Sequence, residues 1–259
     1  MRIRPVPRLP RMSDAIRAET IIIAGHDGDE IESYQAIPLD ERRHGGVVVI
    51  HHMPGYDRAT KEIVRTFAVY GYNAVCPNLF HRYAPGTKAA EAAAAAREAG
   101  GVPDAQCVGD VAGAAEHLRS LPTANGKIGV IGYCSGGRQA YVVACTLPID
   151  AAVDCYGGRV VAGPDDLSPT RPVAPIDLTP KLSCPLLGLF GAEDHNPSPE
   201  DVARIEDELR THGKMHEFHS YDGAGHAFFS VDRPSYNVDA TKDGWKQIWR
   251  WFGRYLSDA

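Results

Sequence analysis

Residues 127–144, K-I-G-V-I-G-Y-C-S-G-G-R-Q-A-Y-V-V-A, constrain this chain more than any other stretch. Ile128, Val130 and Ile131 read as a short buried strand, and residues 139–144 as the opening turns of an apolar helix. Between them lies Gly132-Tyr133-Cys134-Ser135-Gly136-Gly137. This is the strand-to-helix turn G-x-S-x-G with cysteine in the central place. Gly132 and Gly136 let neighbouring backbones approach, so the central side chain stands above the sheet edge. The N–H of Ser135 opens the helix and can point at a developing oxyanion. Ser135 competes as nucleophile, but Tyr133 stands two residues before it where the frame needs glycine. The bland alternative is a glycine-rich turn holding an inert buried cysteine.

A strand and helix of this kind belong to an alternating pattern. Residues 19–24 and 31–37 are β-branched and flank an Asp27-Gly28 turn, which predicts an antiparallel hairpin. The run Val47-Val48-Val49-Ile50 predicts a strand buried on both faces. Ile63, Val64, Phe67 and Ala68 repeat at helical spacing before Gly71. Strands follow at 73–76, 151–155, 186–190 and 216–221. Helices are expected at 89–99, from Asp104, and from Ser198 to about 211. The 89–99 helix is Ala-rich, offers little core and is expected at the surface. Trp245, Ile248, Trp249, Phe252 and Leu256 form a stripe better suited to core packing than to ligand binding. Residues 157–183, rich in Gly, Pro and Asp, form a long excursion, either a lid over the strand ends or a surface connection. The pattern predicts an α/β protein: a mostly parallel sheet with helices on both faces.

At 259 residues the chain suits one such domain, spanning 19–259, after an Arg-containing extension over 1–18. A net charge of −6 argues against a nucleic-acid footprint, and no apolar run is long enough to span a bilayer. The six cysteines show no C-x-x-C pair, and there is no apolar leader after the early arginines. Reduced thiols in a cytoplasm are the expectation.

In open parallel sheets, ligands bind beyond the carboxyl ends of the strands. His52, Arg82, Cys134, Asp194 and His226 all follow predicted strands, so they can converge on one edge. Cys134, Asp194 and His226 stand in the nucleophile–acid–histidine order of α/β-hydrolases. A thiol is mostly protonated at neutral pH, so it needs an imidazole to take its proton and a carboxylate to orient that imidazole. His226 sits in a Gly-Ala-Gly-His loop after the last strand. Asp194 competes with Glu193 beside it and with Asp154 at another strand end. It ranks first because it follows the penultimate strand.

The segments 75–80 (V-C-P-N-L-F), 83–87 (Y-A-P-G-T), 132–137, 191–195 (G-A-E-D-H) and 223–226 resemble dienelactone hydrolase (carboxymethylenebutenolidase). The likeness runs from about Ile21 to the last helix. It implies an α/β-hydrolase fold and a triad of Cys134, Asp194 and His226. It also implies hydrolysis of an enol-lactone to maleylacetate, and an oxyanion hole from the N–H groups near Met53 and Ser135. Arg82 is implied to hold the substrate carboxylate. Two positions depart from the family. His52 stands where a glutamate helps activate the cysteine. Ser230 stands where a second arginine binds carboxylate, and Arg233 lies three residues on as a substitute. A protonated His52 would favour a resting thiolate where glutamate opposes it.

The expected function is therefore cysteine-dependent hydrolysis of a small ester or lactone through an acyl-enzyme, with no cofactor, in a monomer or homodimer. The alternatives are a broader carboxylesterase or thioesterase, or a non-catalytic ligand-binding relative. Metal binding by His51, His52 and His81 is disfavoured, because adjacent residues on an extended segment point to opposite faces.

Overall fold

The computed structural model describes residues 15–258. The predicted hairpin is β1 (Ile16–Ala24) with β2 (Glu30–Pro38), paired antiparallel. Residues 16–18 thus already belong to β1, while 1–14 of the expected extension lie outside the described residues. Six further strands follow: β3 (His44–Ile50), β4 (Asn73–Pro77), β5 (Ala124–Tyr133), β6 (Ala151–Cys155), β7 (Leu186–Gly191) and β8 (His216–Tyr221). The sheet order is β1-β2-β4-β3-β5-β6-β7-β8, and every pairing from β4 onward is parallel. The carboxyl ends of β3, β5, β7 and β8 therefore open on the same edge.

Helices cover both faces. α1 (Arg58–Val69) and α6 (Val238–Tyr255) pack on one side. α2 (Ala89–Glu98), α3 (Asp104–Ser120), α4 (Ser135–Thr146) and α5 (Pro199–Thr211) pack on the other. Strands with helices on both faces must be apolar throughout, and β3, β4, β6 and β7 are buried at every position. The tryptophan stripe of α6 is core: Ile248, Trp249, Phe252 and Leu256 are buried. α2 departs from expectation. Ala92, Ala93 and Ala96 are buried, because a face of methyl groups lets the helix lie close against the core.

The 157–183 excursion is folded back on the domain. It contains 3₁₀ turns at Pro164–Asp166 and Pro175–Lys181. Thr179 Oγ1 lies 2.6 Å from the hydroxyl of Tyr141 on α4, and Ile176 N–H donates to the carbonyl of Val160.

Candidate active site

Cys134 directly follows β5 and is the N-cap of α4, with φ 56° and ψ −120°. Non-glycine residues are uncommon in this region, and the strain holds the side chain clear of the turn. The two glycines are needed for contact rather than flexibility. A Cβ at Gly132 would collide with the carbonyl of Gly136, and a Cβ at Gly136 with that of Ile50.

Three elements deliver three side chains to this point. Cys134 Sγ lies 3.0 Å from His226 Nε2, and His226 Nδ1 lies 2.8 Å from Asp194 Oδ2. Asp194 is 3% exposed, and its other oxygen accepts the N–H of Asn196 at 2.9 Å, so its orientation is fixed. The competing acids do not reach the imidazole. Glu193 is exposed, and Asp154 Oδ1 accepts Gly157 N–H at 2.8 Å. Burial pushes the Asp154 carboxyl up to about 7 against that hydrogen bond.

Burial alone would raise the Cys134 thiol. The His226 hydrogen bond and charge, with the N–H groups of Ser135 and Met53, outweigh it and bring the thiol below its usual range. Burial opposes the charged imidazolium too, but Asp194 and Cys134 prevail and lift His226 to about 10. These shifts favour a thiolate–imidazolium pair. The backbone N–H groups of Ser135 and Met53 thus lie beside the sulfur and favour its anion.

Cys134, Ser135, Met53 and His226 open into a cavity of about 200 Å³. A second cavity of about 190 Å³ shares no lining residue with it and is walled by His52, Tyr133, Tyr156, Phe229, Ser230 and Trp245. His52 is turned to α1, where its Nε2 lies 2.8 Å from Oδ2 of Asp57, the helix N-cap. Any positive charge on His52 is therefore offset by that carboxylate. His51 and His81 have separate partners: His51 Nε2 accepts Leu79 N–H, and His81 Nδ1 accepts Glu32 N–H.

Arg82 is not brought to either cavity. Its guanidinium donates to both oxygens of Asp110 at 2.9 and 3.0 Å, and to Asp29 at 2.7 Å. Asp110 is fully buried on α3, and that carboxylate captures the arginine assigned to substrate by resemblance. Arg233 is exposed on the turn after Ser230 and lines neither cavity. Three other arginines, Arg138, Arg159 and Arg171, line the Cys134 cavity, and sequence reasoning missed them. Arg138 carried a signal: it lies one helical turn after Cys134. The other two come from the excursion, where no periodicity marks them.

The relocation of Arg82 changes what its loss should do. Arg82→Met leaves Asp110 buried without its ion-pair partner. This should lower unfolding stability by about 3 kcal/mol, the low end for a broken buried pair because Arg82 itself is partly exposed. Urea denaturation measures it. The preference for acidic over neutral esters should not change; a selective loss on acidic esters would return Arg82 to the substrate.

A sheet of this order, with a nucleophile elbow and an acid and histidine following later strands, is that of an α/β-hydrolase. The family model for dienelactone hydrolases matches residues 31–256, and the chain belongs to that family. It is 31% identical over 227 residues to a Methylorubrum extorquens protein provisionally named carboxymethylenebutenolidase, covering 87% of this chain and 77% of that one. It is 30% identical over 211 residues to carboxymethylenebutenolidase of Pseudomonas putida, covering 75% and 79%. A Klebsiella pneumoniae crystal structure, provisionally named a dienelactone hydrolase, superposes with a TM-score of 0.83 at 29% identity, over 93% of this chain and all of that one. The protein is a hydrolase of this family. Among the described residues, no helix is long and apolar enough to cross a membrane.

Proposed function

We propose that the protein hydrolyses a small ester or lactone through a cysteine acyl-enzyme. The observation that carries this reading is the unbroken Asp194–His226–Cys134 hydrogen-bonded chain at a strained elbow. Cys134 Sγ attacks the carbonyl carbon, and the developing oxyanion accepts from the N–H groups of Ser135 and Met53. His226, protonated by the thiol, gives that proton to the departing oxygen. In a lactone the ring opens and the alcohol stays in the same molecule. Water then attacks the thioester with His226 as base, releasing the acid and restoring the thiol. Asp194 holds the imidazole in the tautomer that aims Nε2 at sulfur.

The resemblance points to a dienelactone. Two observations favour another small acid, as a carboxylesterase or thioesterase: Arg82 is committed to Asp110, and Ser230 supplies no charge. A panel of p-nitrophenyl esters and dienelactones, with and without iodoacetamide, tests the reading. Turnover should be abolished by the thiol reagent. Turnover that survives complete alkylation would defeat the cysteine mechanism. All six cysteines are free, which supports the expectation of a reducing cytoplasmic setting.

A further inference from the structure

The Cys134 cavity carries more positive charge than hydrolysis needs. Arg138 is satisfied: Nη1 and Nη2 donate to the two oxygens of Asp104 at 2.6 and 3.0 Å. Arg159 and Arg171 form no ion pair with any carboxylate among the described residues. Asp104 is thus committed to Arg138, and the other two guanidinium groups are left without a paired carboxylate. Burial and the neighbouring charges of Arg138 and Arg159 make Arg171 less basic than usual, and Asp104 only partly offsets them.

Arg171 is also held in place rather than free to swing into water. Its backbone pairs with Ser168, and Ser168 Oγ accepts its N–H at 3.2 Å. The preceding carbonyl, of Thr170, accepts the N–H of Asp104 at 2.9 Å, so the residue that fixes the loop also neutralises Arg138. The guanidinium packs against Gly101, where a Cβ would collide with it. Its Nε is buried and has no acceptor. A buried donor without a partner is rare in a folded protein, and it leaves the Arg171 guanidinium, which lines the cavity, unsatisfied within the fold. Across the cavity, Arg159 sits in a left-handed conformation with φ 61°, and its N–H is held by Asn196 Oδ1 at 3.1 Å.

We infer that Arg159 and Arg171, backed by Arg138, form an anion subsite beside the nucleophile, which takes a carboxylate or phosphate borne by the substrate away from its scissile carbonyl. The inference rests on the hydrolase reading for its substrate, but not for its binding site. Planar guanidinium forks match both anions and can bind them through paired hydrogen bonds. The subsite lies on the excursion and α4, not on the loop of Arg82 or at Ser230. It gives residues 157–183 a function as a specificity wall.

Two measurements on the full chain separate the inference from the reading beneath it. The first is titration calorimetry with glutarate and, separately, inorganic phosphate. The second is kcat/KM for mono-p-nitrophenyl glutarate relative to p-nitrophenyl butyrate. Each is made for wild type, Arg171→Met and the more exposed Arg159→Ala. The glutarate-to-butyrate ratio should fall at least tenfold in Arg171→Met, and several-fold in Arg159→Ala. The anion that wild type binds more tightly identifies the group. Where the esters are turned over, the ratio decides, and an unchanged ratio in both variants overturns the subsite. Where neither ester is turned over, the titration decides. Anion binding lost in the variants then supports the subsite while the hydrolase reading falls, and no binding overturns both.

Discussion

Cys134→Ala is expected to lower kcat for the best ester by about 10⁴- to 10⁶-fold, the scale seen when a triad loses its nucleophile. The remaining rate would come from the two N–H donors and from substrate positioning, which survive the change. Ser135→Ala should cost less than about tenfold, because Ser135 contributes its backbone N–H and alanine keeps that group. The fold should survive both changes. Alanine occupies the φ 56° position under the same strain as cysteine, and Cys134, only partly buried, packs against the edge of the apolar core rather than within it. Steady-state kinetics on the two variants, with circular dichroism to verify folding, gives the answer. Inactivity in Ser135→Ala with activity in Cys134→Ala would move the nucleophile by one residue.

The elbow was readable in the sequence because its constraints are local. Gly132 and Gly136 must be small where backbones meet, and that demand is written at fixed distances from Cys134. The order of Asp194 and His226 was readable for a topological reason. A parallel sheet with short connections returns each strand end to the same edge, so residues that follow strands gather there. Arg82 shows where that logic stops. Topology brings its loop to the same edge, but the guanidinium direction is set by which carboxylate is nearest, and Asp110 lies 28 residues on. His52 is set by the same kind of neighbour: the N-cap Asp57 faces its ring, a partner that its position after β3 does not reveal. Arg171 illustrates the opposite limit. Nothing in its spacing relates it to Cys134. It reaches the cavity through a bridge to Ser168, a bond from Asp104 and a vacancy left by Gly101. The burial of α2 is hard to read from composition, because alanine adds little apolar area while its small size is what permits close packing.

The remaining large effect belongs to His226. His226→Asn should reduce kcat by about 10⁴-fold or more, since both the proton acceptor and the proton donor to the leaving oxygen disappear. It should also change the free enzyme in a way that a merely disturbed fold would not. In wild type, the thiol ionises below its usual range and His226 holds its proton up to about pH 10, which favours the ion pair between those limits. Iodoacetamide should therefore alkylate wild type along a curve that rises at a pH below that of an ordinary thiol. Activity should rise over the same range and decline as pH approaches about 10, where His226 loses the proton that it donates. Asparagine removes the hydrogen bond and the charge that pull the thiol down, while burial remains to push it up. The alkylation midpoint should move above the ordinary thiol value of about 8.5, with a rate at pH 7 at least tenfold slower. Asp194→Asn should fall between the two, because the ring keeps its place beside sulfur but loses the carboxylate that sustains its proton. If the His226→Asn curve superimposes on wild type, the thiol is activated by another base. His52, oriented by Asp57 and lining the adjacent cavity, would then be the group to replace next.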